Sequence, residues 1–363
     1  MSDLNVCVLP GDGIGPEVME TALAAIAALE RRFGFRLASE SHPGGAAYWR
    51  ETGREMPQGA WEAAGSADAI LFGSMGLPDV RFPDGTEIAP HLKMRVDFDL
   101  FAGVRPIRRL PRTPAVLADP RAGKIDLVII RELTEGLFAS RGKGVVIDDR
   151  EARDTMVITR ATSEKLFDFA FDLARRRKAR GAAGAVTCVD KSNVFVSMAF
   201  FRKIFDERAL GFPDIAARHH YVDAAALELV RRPWMFDVMV MENMFADILS
   251  DLGGGIVGGM GLAPSAEIGL EHALFQPAHG SAPDIAGHGI ANPTAMLLST
   301  AMMLEWLGHR HGREPLVEAA ACLDAAVERA FADGAAFPIE IGGPHGTRDV
   351  ARAVIERIDR PAA

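Results

Sequence analysis

Short apolar runs alternate with longer segments of helical periodicity along this chain. Apolar runs that end in polar or glycine-rich turns predict buried strands at residues 5–9, 69–72, 125–130, 184–189 and 236–241. Apolar residues that recur every three or four positions predict helices over residues 16–32, 163–180, 194–204, 293–306 and 315–332. Strands that alternate with helices indicate an α/β architecture.

Two further segments carry weaker patterns. Residues 156–159 predict another strand, and residues 243–252 predict a short helix that the three glycines at 253–255 end. No repeat or linker divides the 363 residues, a length that suits about two domains. We therefore expect one domain inserted in the other, with residues 1–99 and 253–363 forming the first and residues 100–252 the second.

Composition excludes several classes of protein. The chain is 48% hydrophobic and 25% charged, which is typical of a folded globular protein. Its net charge of −9 argues against nonspecific binding to nucleic acid or to an anionic membrane, and no apolar run approaches the ~18 residues of a membrane span. Cys7, Cys188 and Cys322 are far apart without zinc-ligand spacing, and residues 1–9 do not resemble a signal peptide. We expect a cytoplasmic protein without disulfides or zinc.

A glycine turn follows the first strand. The sequence GDGIGPE at residues 11–17 has the position of a dinucleotide-binding loop, but Pro16 stands where that fingerprint requires its last glycine. Pro16 suits the first turn of a helix instead. A standard Rossmann fold is therefore not expected, and the turn alone leaves open whether it binds a cofactor.

Two aspartates lie four residues apart on a predicted helix. Asp247 and Asp251 project from one face, where they repel each other unless a cation lies between them. The neighbouring strand and glycines suggest a buried pair, although a solvated helix face is the alternative. Oxygen ligands without His or Cys favour Mg²⁺ or Mn²⁺ over zinc. Asp223 is the third candidate ligand.

Three arginines and one lysine follow or flank apolar segments. Arg131 ends a buried strand, where its charge is costly unless it meets an anion. Together with Arg95 and Arg105 it would suit a dicarboxylate, since guanidinium groups bind carboxylates in a fork geometry. Lys191 follows the strand at 184–189. Each of these residues alone would also be compatible with an ordinary surface position.

Longer motifs narrow these alternatives. From residue 6 to about residue 355 the chain resembles the isocitrate and isopropylmalate dehydrogenase family, the β-decarboxylating dehydrogenases. The resemblance rests on GDGIGPE (11–17), LKMRVDFDLFAGVRP (92–106), IIRELTEG (129–136), TCVDKSN (187–193), ENMFADILSDLGGG (242–255), GLAPSA (261–266) and HGSAPDIAGHGIANP (279–293). It implies the family's two-domain α/β fold with parallel and antiparallel strands, in a homodimer.

The resemblance also implies a reaction. It assigns the three arginines to the malate portion of a small dicarboxylate, and Asp247 and Asp251 to a Mg²⁺ or Mn²⁺ site completed by Asp223 of the other subunit. Lys191, also from the other subunit and beside Asp223, would take the proton of the substrate hydroxyl. The implied activity is NAD-dependent oxidative decarboxylation of a (2R,3S)-3-alkylmalate, most simply 3-isopropylmalate of leucine biosynthesis. A tartrate or D-malate dehydrogenase and a non-catalytic binding paralogue are the alternatives.

Cofactor choice follows from Asp284. A carboxylate at this position can accept hydrogen bonds from both ribose hydroxyls and repels a 2′-phosphate, which favours NAD over NADP. The resemblance assigns cofactor contacts to further residues, and for one of them, Asn292, a helix entry is an equally simple role. These residues are Ile14, Gly76, His279, Gly280, Ser281, Ala282, Pro283, Ile285 and Asn292.

Two positions depart from the family pattern. Phe138 stands where most relatives place a tyrosine, and it has no titratable proton, so the final protonation at carbon needs water or another acid. The resemblance places the substrate's side group against residues 88–92. There Leu92 is apolar, His91 is polar, and Pro90 is expected to disturb the local helix. The sequence therefore leaves the side group undefined.

Overall fold

The predicted alternation of strands and helices is present in the fold. The computed structural model describes residues 3–360. Within them the strands are β1 (Leu4–Gly11), β2 (Leu37–Ser41), β3 (Ala69–Ser74), β4 (Ala102–Arg108), β5 (Asp126–Glu132), β6 (Val145–Ile147), β7 (Glu151–Arg153), β8 (Ala185–Asp190), β9 (Ala216–Tyr221), β10 (Val238–Met241), β11 (Pro264–Ile268) and β12 (Ala273–Pro277).

The helices surround these strands and include every long helix that the sequence predicts. They are α1 (Gly15–Phe33), α2 (Ala46–Thr52), α3 (Gln58–Ser66), α4 (Pro90–Asp97), α5 (Arg160–Ala179), α6 (Val196–Ala209), α7 (Val222–Arg231), α8 (Asn243–Val257), α9 (Thr294–His311), α10 (Glu314–Ala332) and α11 (Thr347–Asp359). Helix α9 is buried over most of its length, because it packs between α10 and the strands β11 and β12.

Ten of the strands form one mixed sheet in the order β2-β1-β3-β12-β11-β4-β5-β10-β8-β9. Strand β11 is antiparallel to both of its neighbours, and β4 is antiparallel to β5, whereas the other pairs are parallel. The remaining strands, β6 and β7, pair separately as an exposed hairpin. This is an α/β fold without the topology of a standard Rossmann domain.

The sheet has two halves that correspond to different parts of the chain. Strands from residues 1–99 and 253–363 lie on one side of the β11–β4 junction, and strands from residues 100–252 lie on the other. That junction consists of three paired positions, Ala266 with Val104, Glu267 with Gly103 and Ile268 with Ala102. Helix α8, however, continues through the predicted boundary at residue 252. The two-domain division therefore remains a prediction.

Two local predictions are wrong. Residues 156–159 form no strand, because Val157 makes only an isolated bridge to Gly136 and Thr159 already caps helix α5. Helix α8 does not end at the three glycines but continues to Val257. A Cβ at Gly253 would lie 2.0 Å from the side chain of Ile107, so this glycine lets the helix pack closely on β4.

Candidate active site

Three buried arginines converge on one cavity of about 310 Å³. Arg95 comes from α4, Arg105 from β4 and Arg131 from the end of β5, and each is at most 7% exposed. The cavity lies beside the β11–β4 junction, where the two halves of the sheet meet. The fold therefore gathers the three cations that the sequence singled out.

The arginines differ in how their donors are used. Arg95 Nε donates to both oxygens of Glu267 at 3.0 Å. Arg131 Nε donates to the side-chain oxygen of Asn243 at 2.9 Å, and its Nη1 contacts Asp247. Arg105 is the least satisfied, because its Nη1 donates only a long hydrogen bond to Ser250 at 3.4 Å while its buried Nε has no partner.

Burial and mutual repulsion make this cluster suited to an anion. The pKa values of Arg105 and Arg131 are both lowered. Burial is the largest cause, and the positive charge of Arg95 is the next largest. An anion in the cavity would counter both effects, because it supplies an opposite charge and accepts the unused hydrogen bonds. The cavity can therefore bind a small molecule that carries carboxylates.

The two aspartates lie on one face of α8 as expected and line the same cavity. Asp247 pairs with Arg131, and Asp251 lies 3.9 Å from Arg105. Their side chains are 43% and 61% exposed, so the expectation of a buried pair is wrong. They lie at the solvent side of the cavity, where oxygen ligands fit a hydrated Mg²⁺ or Mn²⁺ ion.

Lys191 and Asp223 form an ion pair elsewhere. Lys191 Nζ lies 2.9 Å from Asp223 Oδ1, at the point where β8 ends and α7 begins. The hydrogen bond from Lys191 lowers the pKa of Asp223. The two residues are neighbours, as expected, but neither lines the cavity that holds the arginines.

Phe138 does line that cavity. Its ring is partly exposed, and the guanidinium carbon of Arg131 lies 5.1 Å from the ring centroid. A cation over an aromatic face is a favourable contact that requires no hydroxyl group. The phenylalanine therefore keeps the arginine in place but offers no proton to the cavity.

The α4 wall of the cavity carries His91 and Leu92. Pro90 lies in the first turn of α4, where proline is well tolerated, so the expectation that it disturbs the helix is wrong. His91 Nδ1 is buried without a hydrogen-bond partner. The pKa of His91 is lowered to about 3, mainly by burial and secondly by the positive charge of Arg95. Its imidazole is therefore neutral near pH 7.

Three of the predicted cofactor segments meet beside the cavity. The Ile14 N–H donates to the carbonyl of Ser281 at 2.8 Å, and the Ser281 hydroxyl donates to the carbonyl of Gly76. A Cβ at Gly13, whose φ is +59°, would lie 1.9 Å from that Ser281 carbonyl oxygen. The glycine turn is therefore required for close packing against the loop that begins at residue 279.

Other residues of these segments differ in whether their side chains already form hydrogen bonds within the protein. His279 Nε2 is buried without a partner, and Asp284 is exposed, so both suit contacts with a ligand. Asn292 instead donates to Glu340 at 2.8 Å and accepts from Thr294, which is the helix-entry role. The neighbouring Gly280, Ala282, Pro283 and Ile285 belong to the same loop.

Two residues at the site were not predicted from the sequence. Asp12 of the glycine turn is buried, and its carboxylate accepts from the N–H groups of Ala46, Ala47 and Gly76, so it fixes the loop. Glu267 is an acid inside an apolar strand, directly after GLAPSA. Its position inside an apolar strand was the feature of the sequence that could have indicated a role for Glu267, since a buried acid requires a partner.

A second group of possible metal ligands lies on strands β8 and β9, at the edge of the same half of the sheet as β4 and β5. Ligand atoms of Cys188, Asp190 and His219 lie within 4.8 Å of one another. Asp190 is already bound by Arg202 at 2.7 and 2.9 Å, and His219 pairs with Asp206 at 2.9 Å. Asp190 and His219 therefore already have partners within the protein.

Fold and cavity together define an α/β protein in which a glycine turn and the loop from residue 279 lie beside a pocket lined by three arginines and two aspartates. Residues 5–354 match the family described as Isocitrate/isopropylmalate dehydrogenase. The chain therefore belongs to this family.

Individual relatives cover nearly the whole chain. A 3-isopropylmalate/3-methylmalate dehydrogenase of Methanocaldococcus jannaschii is 40% identical over 355 residues, 98% of each chain. A 3-isopropylmalate dehydrogenase of Desulfotalea psychrophila is 41% identical over 91% of this chain and 92% of its own. The crystal structure of isocitrate dehydrogenase from Methylococcus capsulatus has a TM-score of 0.86 at 35% identity, covering 98% of this chain and all of the other. Among residues 3–360, no helix has the length and apolar character needed to cross a membrane.

Proposed function

We propose that this protein catalyses the NAD-dependent oxidative decarboxylation of a 3-alkylmalate, with 3-isopropylmalate of leucine biosynthesis as the first candidate, in the cytoplasm. The observation that carries the proposal is the cavity that unites three buried arginines with two aspartates beside the glycine-turn loops. The names of relatives at about 40% identity support the same substrate.

The protein's own residues divide the task. When bound, NAD⁺ supplies a hydride acceptor, and Mg²⁺ or Mn²⁺ supplies a Lewis acid for the hydroxyl and keto oxygens. Arg95, Arg105 and Arg131 bind and orient the two substrate carboxylates. Asp247 and Asp251 are the ligands that would hold the cation.

A base is needed for the substrate hydroxyl, and we assign it to Lys191, directly or through a water. Because Lys191 and Asp223 pair outside the cavity, we place both at the cavity of a second subunit, where Asp223 also completes the cation site. Exposed apolar side chains near this pair, including Val194 at 59% and Val196 at 88%, support a homodimer interface.

Mixing two inactive variants tests this arrangement. A dimer of Lys191→Met with Asp247→Asn contains one intact composite site, so a random mixture should regain about one quarter of wild-type activity. If Lys191 serves its own chain instead, the mixture stays inactive.

A substrate panel tests the activity itself. NADH formation with Mg²⁺ is measured for 3-isopropylmalate, D-malate and tartrate, and we expect the highest kcat/KM for 3-isopropylmalate. A higher value for D-malate or tartrate would overturn this assignment. Absence of NADH with every malate derivative would leave a binding paralogue as the function.

One observation favours a second candidate. His91 lines the cavity at the wall where the C3 group of the substrate is expected, and its Nδ1 is buried there without a partner, so the neutral imidazole has an unused hydrogen-bonding atom for a hydroxyl group. A tartrate dehydrogenase is therefore the alternative, since tartrate carries a hydroxyl group at C3 whereas D-malate carries only hydrogen atoms there. The variant His91→Leu separates the two, since it should lower KM for 3-isopropylmalate and raise KM for a hydroxylated substrate.

A further inference from the structure

A buried carboxylate that the proposed mechanism does not use lies directly behind the arginine cluster. Glu267 on β11 is 0% exposed and accepts from Arg95 Nε through both oxygens at 3.0 Å. Gln276 on β12 donates to the same carboxylate at 2.7 Å. Burial alone would raise the pKa of Glu267, but the charge and hydrogen bonds of Arg95 hold it below its usual value. Glu267 is therefore a fixed negative charge.

This charge makes the arginine cluster neutral as a whole. Three guanidinium groups face three carboxylates, those of Glu267 and the two aspartates of α8. A divalent cation and a substrate with two carboxylates also balance each other. A third substrate carboxylate would leave one negative charge uncompensated beside the buried arginines, where charges are less screened than in bulk water.

Among residues 3–360, Arg95 is the one cation of the α4 wall that lines the cavity, because the nearby Arg81 and Arg141 lie outside the lining and contact Glu87. His91 lies one helical turn before Arg95 and is neutral, as its lowered pKa requires. Glu87 lines the same wall and lies 3.7 Å from Arg81, which is paired with it. A carboxylate at this wall would meet an uncharged ring and a glutamate.

We infer that Glu267 is a specificity-determining positioning residue that, through Arg95, selects malate derivatives with an uncharged C3 substituent over tricarboxylates such as isocitrate. The inference rests on the proposed function and adds to it the residue that sets the preference for an uncharged C3 substituent. Glu267 acts in two ways: it holds the Arg95 guanidinium in one orientation, and it cancels the charge that would attract a third carboxylate.

The variant Glu267→Gln removes the charge while keeping the shape. We measure kcat/KM for 3-isopropylmalate and isocitrate with NAD⁺ and Mg²⁺, and the dissociation constants of both acids with Mg²⁺ by calorimetry. Wild-type protein should prefer 3-isopropylmalate in both measurements. In Glu267→Gln this preference should shrink by about tenfold, equal to about 1.4 kcal/mol. Glu267→Asp, which keeps the charge, should retain most of the preference.

Asp324→Asn is the matched control, because it makes the same chemical change at a carboxylate that pairs with Arg108 outside the cavity. It should leave the preference unchanged. If Glu267→Gln does not fold, Gln276→Lys places a compensating cation beside Glu267 and should shrink the preference in the same way.

Two results would overturn the inference: a folded Glu267→Gln with the wild-type preference, or a wild-type protein that binds isocitrate as tightly as 3-isopropylmalate. Failure of the proposed function is a distinct result. In that case no malate derivative yields NADH, and the calorimetric ratio still decides the role of Glu267.

Discussion

Two cavities on opposite faces of the sheet differ in size and in whether the charged side chains that line them already have partners within the protein. The smaller, of about 310 Å³, contains Arg105 and His91, each with a buried nitrogen that lacks a partner. The larger groove, of about 790 Å³, is also lined by arginines. Along β4, Arg105 faces the smaller cavity, and Pro106 and Arg108 line the larger groove, as alternation along a strand requires.

In the larger groove the arginines are matched by acids of the protein. Arg108 forms two hydrogen bonds with Asp324 at 2.7 and 3.0 Å. Arg177 binds Asp237 at 2.7 Å, and Arg180 binds Glu305 at 2.5 Å. No lining residue of this groove, among residues 3–360, has a buried side-chain nitrogen or oxygen without a partner. Unsatisfied buried donors, rather than volume, therefore mark the cavity prepared for a ligand.

The largest expected effect on activity concerns the proposed base, Lys191, which does not line the smaller cavity of its own subunit. Lys191→Met should lower kcat by about 10²–10⁴, because it removes the proposed base. The control is Lys203→Met, which removes an exposed lysine of α6 that pairs with Glu207. Steady-state NADH formation measures both. Near-wild-type kcat in Lys191→Met would show that the cavity finds its base elsewhere.

The next effect compares the two cavities directly. Arg105→Gln should lower kcat/KM for the preferred malate derivative by about 30-fold or more, because a buried charge then loses its ionic partner. Arg108→Gln in the larger groove should leave kcat/KM near the wild-type value. Equal losses of kcat/KM in the two variants would show that the smaller cavity is not distinguished from the larger groove by its unpartnered donors.

A stability measurement tests the buried imidazole of the smaller cavity. Burial lowers the pKa of His91 from 6.5 to about 3, so its contribution to stability is complete above pH 6.5 and declines as the pH falls toward 3. Between pH 7.5 and pH 5, wild type should therefore lose on the order of 1 to 2 kcal/mol more unfolding free energy than His91→Leu. Urea unfolding at each pH measures this difference. Parallel losses would mean that His91 becomes protonated without cost.

The smallest effect concerns the missing hydroxyl of the cavity. Phe138→Tyr should raise the rate of the complete decarboxylating turnover by a few-fold, since it supplies an acid beside Arg131. Product release and hydride transfer are followed separately in single turnovers. An unchanged rate would show that another acid or water already protonates the product fast enough.

Local pattern made the strands and long helices predictable, because apolar periodicity directly reports which face is buried. The helix α8 shows where this fails. Its glycines predict an end from local propensity, but close packing on Ile107 outweighs that cost. The same limit applies to residues 156–159, where β propensity was not matched by a neighbouring strand.

The sequence by itself determined the charged residues of the site and, through its motifs, the family to which the chain belongs. Spacing placed Asp247 and Asp251 on one helix face. Only the tertiary structure decided that Glu267 neutralises Arg95, that Arg105 keeps an unused donor, and that Lys191 lies outside the cavity. The physical reason is the distance along the chain between interacting residues. The face of a helix is set by residues three or four positions apart, whereas the charges of the three arginines are balanced by partners more than a hundred residues away in sequence.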